Sequence, residues 1–273
     1  MSDLSLALDT PDLAHHYEQI SRDRQFKAGQ LLVSRLGIKT GERVLDVGSG
    51  TGLLAEHTAG IVGPSGSVVG IDPLTLRVDI ASKKATRNLS FAVGDAYDLT
   101  RFDDASFDVI YLNAVFHWLP EKSGPLRQFH RILATGGRLG ISTGSKDHPN
   151  RLHEIKREVL SREPYSQYPE SKAGAPERVS AAELRRLLEQ TGFDVEAVDS
   201  VPHVSFQPSG EAAIQFSQAS SFGNFLNHLP NALRAAAREE IRVELERQRT
   251  PEGIRQDGAR LIAIAVKASA GKA

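Results

Sequence analysis

The pattern with the clearest chemical content is Val44-Leu45-Asp46-Val47-Gly48-Ser49-Gly50-Thr51-Gly52, an apolar run that ends in three glycines at alternate positions. Glycine is needed where a chain turns sharply and presents bare main chain to a ligand, because a Cβ would obstruct it. A dinucleotide-binding turn has its third glycine one place later, with a pyrophosphate over the next helix N-terminus. The turn here is tighter. Further on, Val68-Val69-Gly70-Ile71-Asp72-Pro73 puts an acid at the end of a second apolar run. A carboxylate so placed accepts hydrogen bonds from both hydroxyls of a ribose and repels a 2′-phosphate; the plainer reading is an aspartate that caps a helix. Two more punctuated runs follow, Val93-Gly94-Asp95-Ala96 and Asn113-Ala114-Val115-Phe116-His117-Trp118. His117 titrates near neutrality and is a candidate general base, with His15, His16 and His148 as alternatives.

These residues need a scaffold, and the chain supplies an alternation of short apolar runs and amphipathic stretches, the mark of a parallel sheet flanked by helices. Strands are expected at Arg43 to Val47, Ser67 to Ile71, Leu89 to Val93, Phe107 to Leu112, Gly137 to Ser142, Phe193 to Phe206 and Arg260 to Val266. Helices are expected at Leu13 to Leu36, Leu53 to Ile61, Leu74 to Lys84, Pro125 to Leu133 and Asn150 to Ser161, with a short one around Thr100. Ser180 and Glu183 have capping-box spacing ahead of Leu184, Leu187 and Leu188. Right-handed crossovers make this a Rossmann-like, doubly wound, mostly parallel seven-stranded sheet, with ligands at the carboxyl ends of its strands. The chain divides into an N-terminal helical cap (1–39), the ligand-binding core (40–143), an insertion (144–179), the core continued (180–208), a helical lid insertion (209–259) and a closing strand and tail (260–273). The lid reads as two helices, Ser209 to Leu229 and Asn231 to Arg249. Its Phe216, Phe222 and Phe225 form an apolar face that covers an apolar or aromatic substrate, fills a core or makes a subunit contact.

A formal net charge of -1 gives no field to attract a polyanion, so nucleic acid is not an expected partner. With no cysteine there are no disulfides, thiolate metal sites or Cys nucleophiles, and a reducing, cytoplasmic setting is favoured. Nine histidines show no ligand pair, so no metal is expected. Met1 to Pro11 lacks a secretion-signal pattern, and no run approaches the ~20 apolar residues that span a bilayer.

From Thr40 to Ser142 the sequence resembles class I S-adenosylmethionine-dependent methyltransferases, especially those of ubiquinone and menaquinone biosynthesis and of natural-product pathways. The resemblance implies S-adenosyl-L-methionine as cofactor, S-adenosyl-L-homocysteine as product and a small-molecule methyl acceptor. It also implies roles. Gly48, Ser49, Gly50 and Gly52 form the cofactor turn, Asp46 approaches the methionine ammonium, and Asp72 holds the ribose. Pro73 and Leu74 pack on the adenine; Gly94 and Asp95 lie beside its amine, with the Ala96 NH as donor. Asn113, His117 and Trp118 face the sulfonium and the substrate, where His-Trp is also a packing feature of the family. Tyr17, in His15-His16-Tyr17, reaches the methionine carboxylate or the reaction centre, or simply packs.

Some positions depart from the family pattern. Thr135 stands for the usual Pro of a Pro-Gly-Gly turn, and Arg77 for a Met that often contacts the cofactor. Asn113-Ala114-Val115-Phe116 is not the acidic-Pro-Pro-aromatic motif of amino-methylating relatives, which favours an O or C nucleophile. The missing cysteines count against arsenic methylation. A nicotinamide-dependent oxidoreductase and a non-catalytic cofactor-binding module are the rival readings.

Overall fold

The computed structural model describes residues 10, 12, 25–148, 151–169, 176–221 and 224–268. Helix α1 (Lys27–Leu36) buries Leu32, Val33 and Leu36 and ends at Gly37, whose φ of 58° is the left-handed stop that glycine adopts easily. The rest of the expected N-terminal helix, Leu13 to Arg24, lies outside the described residues. Strands β1 (Arg43–Val47), β2 (Ser67–Asp72), β3 (Leu89–Val93) and β4 (Phe107–Asn113) then alternate with helices α2 (Leu53–Val62) and α3 (Thr75–Ser82). Helix α4 (Ser123–Ile132) leads into β5 (Leu133–Gly144).

After β5 come α5 (Arg151–Leu160), α6 (Ala181–Gln190), β6 (Phe193–Gln207), α7 (Gly210–Ser220), α8 (Asn231–Glu246), the two-residue β7 (Arg249–Thr250) and β8 (Gly253–Lys267). The sheet order is β3-β2-β1-β4-β5-β8-β6, with β7 on the edge of β8. Pairing is parallel from β3 to β5 and antiparallel for β8 with β5 and β6. The seven expected strands are therefore present, with β7 as a small addition. Order reverses between β1 and β4, and a doubly wound sheet opens a crevice at the strand tips beside such a switch.

Three expectations are corrected. Thr100 sits in a turn, because Asp98 Oδ1 accepts from both its N (3.1 Å) and its Oγ1 (2.6 Å) and competes with helical bonding. The turn expected around Thr135 is absorbed into β5 as an irregularity: Phe107 pairs with Leu133 but Val109 with Arg138, and Gly136 takes φ 74°. Strand β8 begins well before Arg260. Its first half, from Ile254 to Ala259, pairs with β6 from Gln207 to Pro202, while β5 joins only at Arg260 opposite Gly144.

That overhanging hairpin carries the cap. Leu152, Ile155, Val159 and Tyr165 of the first insertion pack with Ala213, Ile214, Phe225, Leu226, Ala237, Ile241 and Leu245 of the second and with Ile254 of β8, in a core of their own. The two insertions thus share one apolar cluster, distinct from the clusters on the two sheet faces. The capping box is present, with Glu183 N donating to Ser180 Oγ at 3.1 Å and Ser180 N to Glu183 Oε2 at 2.7 Å.

Candidate functional site

At the tip of β1 the glycine turn is tied to β2. Gly48 N and Ser49 N both donate to Ile71 O, at 2.7 and 2.9 Å. All three glycines have positive φ: 74° at Gly48, 55° at Gly50 and 85° at Gly52. Their surroundings differ. A Cβ on Gly48 would lie 2.3 Å from Val115 Cγ2, and one on Gly52 would lie 2.7 Å from Phe91 Cζ. A Cβ on Gly50 would meet nothing within 4 Å. The outer glycines therefore answer to packing, and Gly50 is the one that opens outward.

Asp72, 6% exposed, ends β2 with both oxygens engaged by this frame: Gly50 N donates to Oδ2 at 2.9 Å and Leu74 N to Oδ1 at 3.0 Å. One carboxylate thus ties the glycine turn to the Leu74 amide at the entry to α3, whose N-cap carries no side-chain capping bond. Beyond it Gly94 N donates to Asp72 O at 3.1 Å, which brings the β3 tip alongside. Asp95 is exposed, and its Oδ1 accepts from Tyr97 N (2.7 Å) and Asp98 N (3.1 Å); Ala96 is buried in the main core. Leu74 is buried and Pro73 exposed.

Asp46 is 2% exposed, and the Tyr111 hydroxyl donates to its Oδ2 at 3.0 Å. Tyr111 also lies 3.2 Å from Thr58 Oγ1, which donates to Leu54 O at 2.8 Å. Burial pushes the Asp46 carboxyl up to about 7; the Tyr111 hydrogen bond opposes this and the nearby Asp72 charge adds to it. Burial and the Asp46 charge raise the Tyr111 phenol well above its ordinary value. A carboxyl poised near neutrality at a strand tip is a common mark of a functional site.

Asp46, Gly48, Ser49, Gly50 and Asn113 line a cleft of about 60 Å3 together with Gln25 and Phe26. Asn113 Nδ2 donates to Gln25 O at 3.0 Å. Ser49 Oγ is buried with no hydrogen-bond partner among the described residues. An orphaned hydroxyl, an open Gly50 and two buried carboxylates fit a polar ligand that carries a positive charge and hydroxyl donors. They fit S-adenosylmethionine in type.

A larger cavity of about 740 Å3 opens on the other side of the β4 tip. Asn113 lines the small cleft, Ala114 lines the large one, and Gln25 borders both. Ala114 takes φ 61°, a left-handed conformation that costs an L-residue roughly 1–2 kcal/mol, and its N donates to Ser142 O at 2.8 Å. His117, Trp118, Phe216 and Phe225 all line this cavity, and Phe225 is also part of the cap core. Tyr17, with His15 and His16, and Phe222 lie outside the described residues. His117 Nδ1 is 2.9 Å from Thr143 Oγ1. Burial lowers its pKa well below the ordinary histidine value, and the charges of Arg178, Arg260, Lys122 and His153 lower it further.

Sequence reasoning missed Tyr111 and Gln25, along with Lys156, Arg178, Gln256 and Arg260, which line the large cavity. Tyr111 reads as one more apolar strand residue. The others lie in the N-terminal cap, the insertions or a strand without motif spacing; only Arg260, a cation at the head of the apolar run Leu261 to Val266, carried a signal. Among the described residues no group of three or more His, Cys, Asp or Glu could hold a metal ion. No described helix is long and apolar enough to cross a membrane.

A Rossmann-like sheet with this glycine turn, an acid at the β2 tip and a second cavity beyond β4 defines a class I methyltransferase architecture. The family described as "Methyltransferase domain" matches residues 19–198, well over half of the chain, and the protein belongs to it. It is an S-adenosylmethionine-dependent enzyme. Among relatives, the demethylmenaquinone methyltransferase of Lactobacillus johnsonii is 29% identical over 66% of this chain and 81% of its own length. The O-methyltransferase cnsE of Penicillium expansum is 35% identical over 61% of this chain and 57% of its own, so the chain spans little more than half of that relative. Among solved structures, a Haloferax volcanii methyltransferase in complex with the Trm112 methyltransferase activator superposes with TM-score 0.60 at 22% identity, covering 93% of this chain and 94% of that one. The [4+2]-cyclase SpnF superposes with TM-score 0.57 at 20% identity over 89% and 81%. At such identities the likeness shows the fold, which also serves a cyclase.

Proposed function

We propose that this enzyme moves the methyl group of S-adenosylmethionine to an oxygen or carbon nucleophile of a small metabolite with an aromatic or apolar body. The observation that carries this reading is the adjacency of the two cavities: consecutive residues of the β4 tip, Asn113 and Ala114, border one each. A methyl donor in the first would meet an acceptor in the second across that tip.

In the first cavity, Gly50 would take the ribose together with Asp72, which lies behind the turn and accepts from Gly50 N, while Asp46 would meet the ammonium and Ser49 Oγ a further polar group. Pro73, Leu74, Gly94, Asp95 and Ala96 would border the adenine. The cofactor is larger than the cleft of about 60 Å3, so the cleft, with Gln25 and Phe26 in its wall, would widen to take it. When bound, it supplies a methyl group already activated by a positive sulfur. The protein's share is then orientation and exclusion of water.

The second cavity has the volume of a site for a drug-sized molecule, and Trp118, Phe216, Phe225 and Leu152 give it apolar walls. His117 stays neutral near pH 7, with its Nδ1 side fixed by Thr143. It would accept a hydrogen bond from the acceptor and orient it, while its lowered basicity makes it a weak proton acceptor. The cysteine-free composition supports a reducing, cytoplasmic setting.

The test incubates purified protein with S-adenosylmethionine and a panel of phenols, enols and hydroxy acids, and measures S-adenosylhomocysteine by mass spectrometry. Calorimetry with S-adenosylmethionine and with NAD is run beside it. Tight binding of NAD alone, or product with no acceptor in a broad panel, would sink the reading.

A further inference from the structure

The larger cavity has a floor as well as walls. His203 and Gln207 of β6 and Gln256, Gly258 and Arg260 of β8 all line it. Successive residues of a strand alternate between its faces, and register partners share a face. These residues therefore lie on the inner face of the overhanging hairpin, together with Ser205, which stands opposite Gln256. Arg255 and Asp257 lie on the outer face, exposed, with Arg255 Nε donating to Asp257 Oδ1 at 2.8 Å. The charges that flank Gln256 are thus paired with each other away from the cavity.

Two polar groups of the inner face are unmet. Gln256 is 2% exposed, and its Nε2 has no hydrogen-bond partner among the described residues. Ser205 Oγ, on its register partner, is buried in the same condition. Such partners stand about 5 Å apart at Cβ, close enough for one ligand oxygen to bridge their side chains. An unmet buried donor is costly, and two side by side, one of them in a cavity wall, are built for an acceptor that arrives with the ligand. An amide and a hydroxyl are both neutral, which suits a neutral oxygen.

Arg260 fixes the other end of the floor. Its Nη1 donates to Asn113 Oδ1 at 3.3 Å and to Ser142 Oγ at 3.1 Å, so it stands at the β4 and β5 tips, where the two cavities adjoin. Gln256 is four residues back along β8, roughly 13 Å of strand. Side-chain reach shortens the span from the amide to the β4 tip to on the order of 10 Å. Between the two ends, a Cβ on Gly258 would lie 3.0 Å from His203 Cε1, so an imidazole over bare main chain makes a flat track. A flat track with apolar walls takes planar rings, and one ring is too short to span it.

We infer that Gln256 sets acceptor specificity: the acceptor is a neutral, planar molecule at least two rings long, whose carbonyl oxygen, at the end remote from the methylated atom, accepts from Gln256 Nε2 and Ser205 Oγ. A site built to bond such an oxygen rejects the analogue that lacks it, because the amide then stays unmet. This inference rests on the proposed acceptor role of the cavity and adds to it the length of what binds there and the group that marks its far end.

Equilibrium dialysis of the full chain with S-adenosylhomocysteine present, read by mass spectrometry, compares ketones with their ethyl counterparts. The pairs are 4-acetyl-4′-hydroxybiphenyl with 4-ethyl-4′-hydroxybiphenyl, 6-acetyl-2-naphthol with 6-ethyl-2-naphthol, and the one-ring 4-hydroxyacetophenone with 4-ethylphenol. At least one two-ring ketone should bind about fivefold or more tighter than its ethyl counterpart, the size of a hydrogen bond to a donor otherwise unmet, and the one-ring pair should differ by less than about twofold. Gln256→Met keeps the side chain's length and should bring the two-ring ratio to about one with S-adenosylhomocysteine affinity unchanged. It should also raise the chemical-denaturation midpoint of the ligand-free protein, because an unmet buried amide is gone. The wild-type comparison stands even if the variant fails to fold.

A panel in which no two-ring ketone binds tighter than its ethyl counterpart overturns the inference, and so does an equal preference in the one-ring pair. A ketone preference that Gln256→Met leaves unchanged would return the amide to packing. Tighter binding of 4′-hydroxybiphenyl-4-carboxylate than of the ketone would overturn the neutral oxygen. Calorimetry with S-adenosylhomocysteine alone separates the two levels: its failure would remove the methyl-transfer reading, while a ketone preference measured without it would still reveal a site that reads an oxygen.

Discussion

Asp46 and Tyr111, register partners on adjacent parallel strands, share a hydrogen bond of 3.0 Å beneath the glycine turn. It holds a carboxyl whose pKa burial has raised to about 7. Unfolded, the same group titrates near 4. The folded protein therefore binds the proton more readily, and this contribution to stability is lost as pH rises from about 4 through 7. Denaturant titrations of the ligand-free protein should show that decline, and Asp46→Asn should flatten it.

If Asp46 faces the cofactor ammonium, binding must ionise it. Affinity for S-adenosylhomocysteine should then fall as pH is lowered below about 7, with a proton released on binding. Calorimetry in buffers of different ionisation enthalpy measures that proton. Asp46→Asn should abolish the Asp46 share of the release; an unchanged value would remove Asp46 from the ligand's surroundings.

Replacing Asp72 with Ala removes the acceptor of Gly50 N and Leu74 N as well as the proposed ribose contact. Cofactor affinity should drop by on the order of 2 kcal/mol or more, because the lost bonds are charge-assisted. Hydrogen exchange at the Gly50 and Leu74 amides should accelerate in the ligand-free variant. Wild-type affinity would leave Asp72 only its role of tying the Gly50 and Leu74 amides.

The frame of the candidate cofactor site was legible because its signals are local. The tips of β1, β2 and β3 are each announced by a Gly or Asp after a short apolar run, and β1, β3 and the capping box at Ser180 fall where the residues place them. The cap was legible only in pieces. Its helices show in the periodicity, but the union of Leu152 and Tyr165 with Ile214 and Leu245 joins segments far apart in sequence, and no local pattern encodes that pairing. The cationic lining is non-local for the same reason: Lys156, Arg178 and Arg260 come from three segments far apart in sequence and line one cavity. Even the glycines needed the structure to separate their roles.

Gly48 and Gly50 should respond differently to alanine. Gly48→Ala puts a Cβ 2.3 Å from Val115 Cγ2 at a φ of 74°, so overpacking of about 1–3 kcal/mol adds to the backbone strain. Val115→Ala should recover the packing part only. Gly50→Ala has open space and carries the backbone cost, roughly 1–2 kcal/mol. Chemical denaturation should rank Gly48→Ala as the less stable variant, and calorimetry should show Gly50→Ala losing cofactor affinity out of proportion to its stability.

His117 and Thr143 supply the last expectation. Burial and the surrounding cations lower the His117 pKa well below its usual 6.5, so the ring stays neutral at pH 7 and above. Turnover should show no inflection from His117 in that range. Because the folded pKa is lowered, the stability this group contributes is present above about pH 6.5 and is lost as pH falls toward the folded value. Arg178→Gln removes the largest single positive charge acting on the ring and should raise its titration midpoint, read from the imidazole proton resonances. Thr143→Val removes the Nδ1 partner at a fully buried position and frees the ring's orientation and tautomer. It should lower kcat with S-adenosylhomocysteine affinity unchanged, as should His117→Ala. Wild-type turnover in His117→Ala would return the residue to packing against Trp118, whose ring centroid is 5.2 Å away.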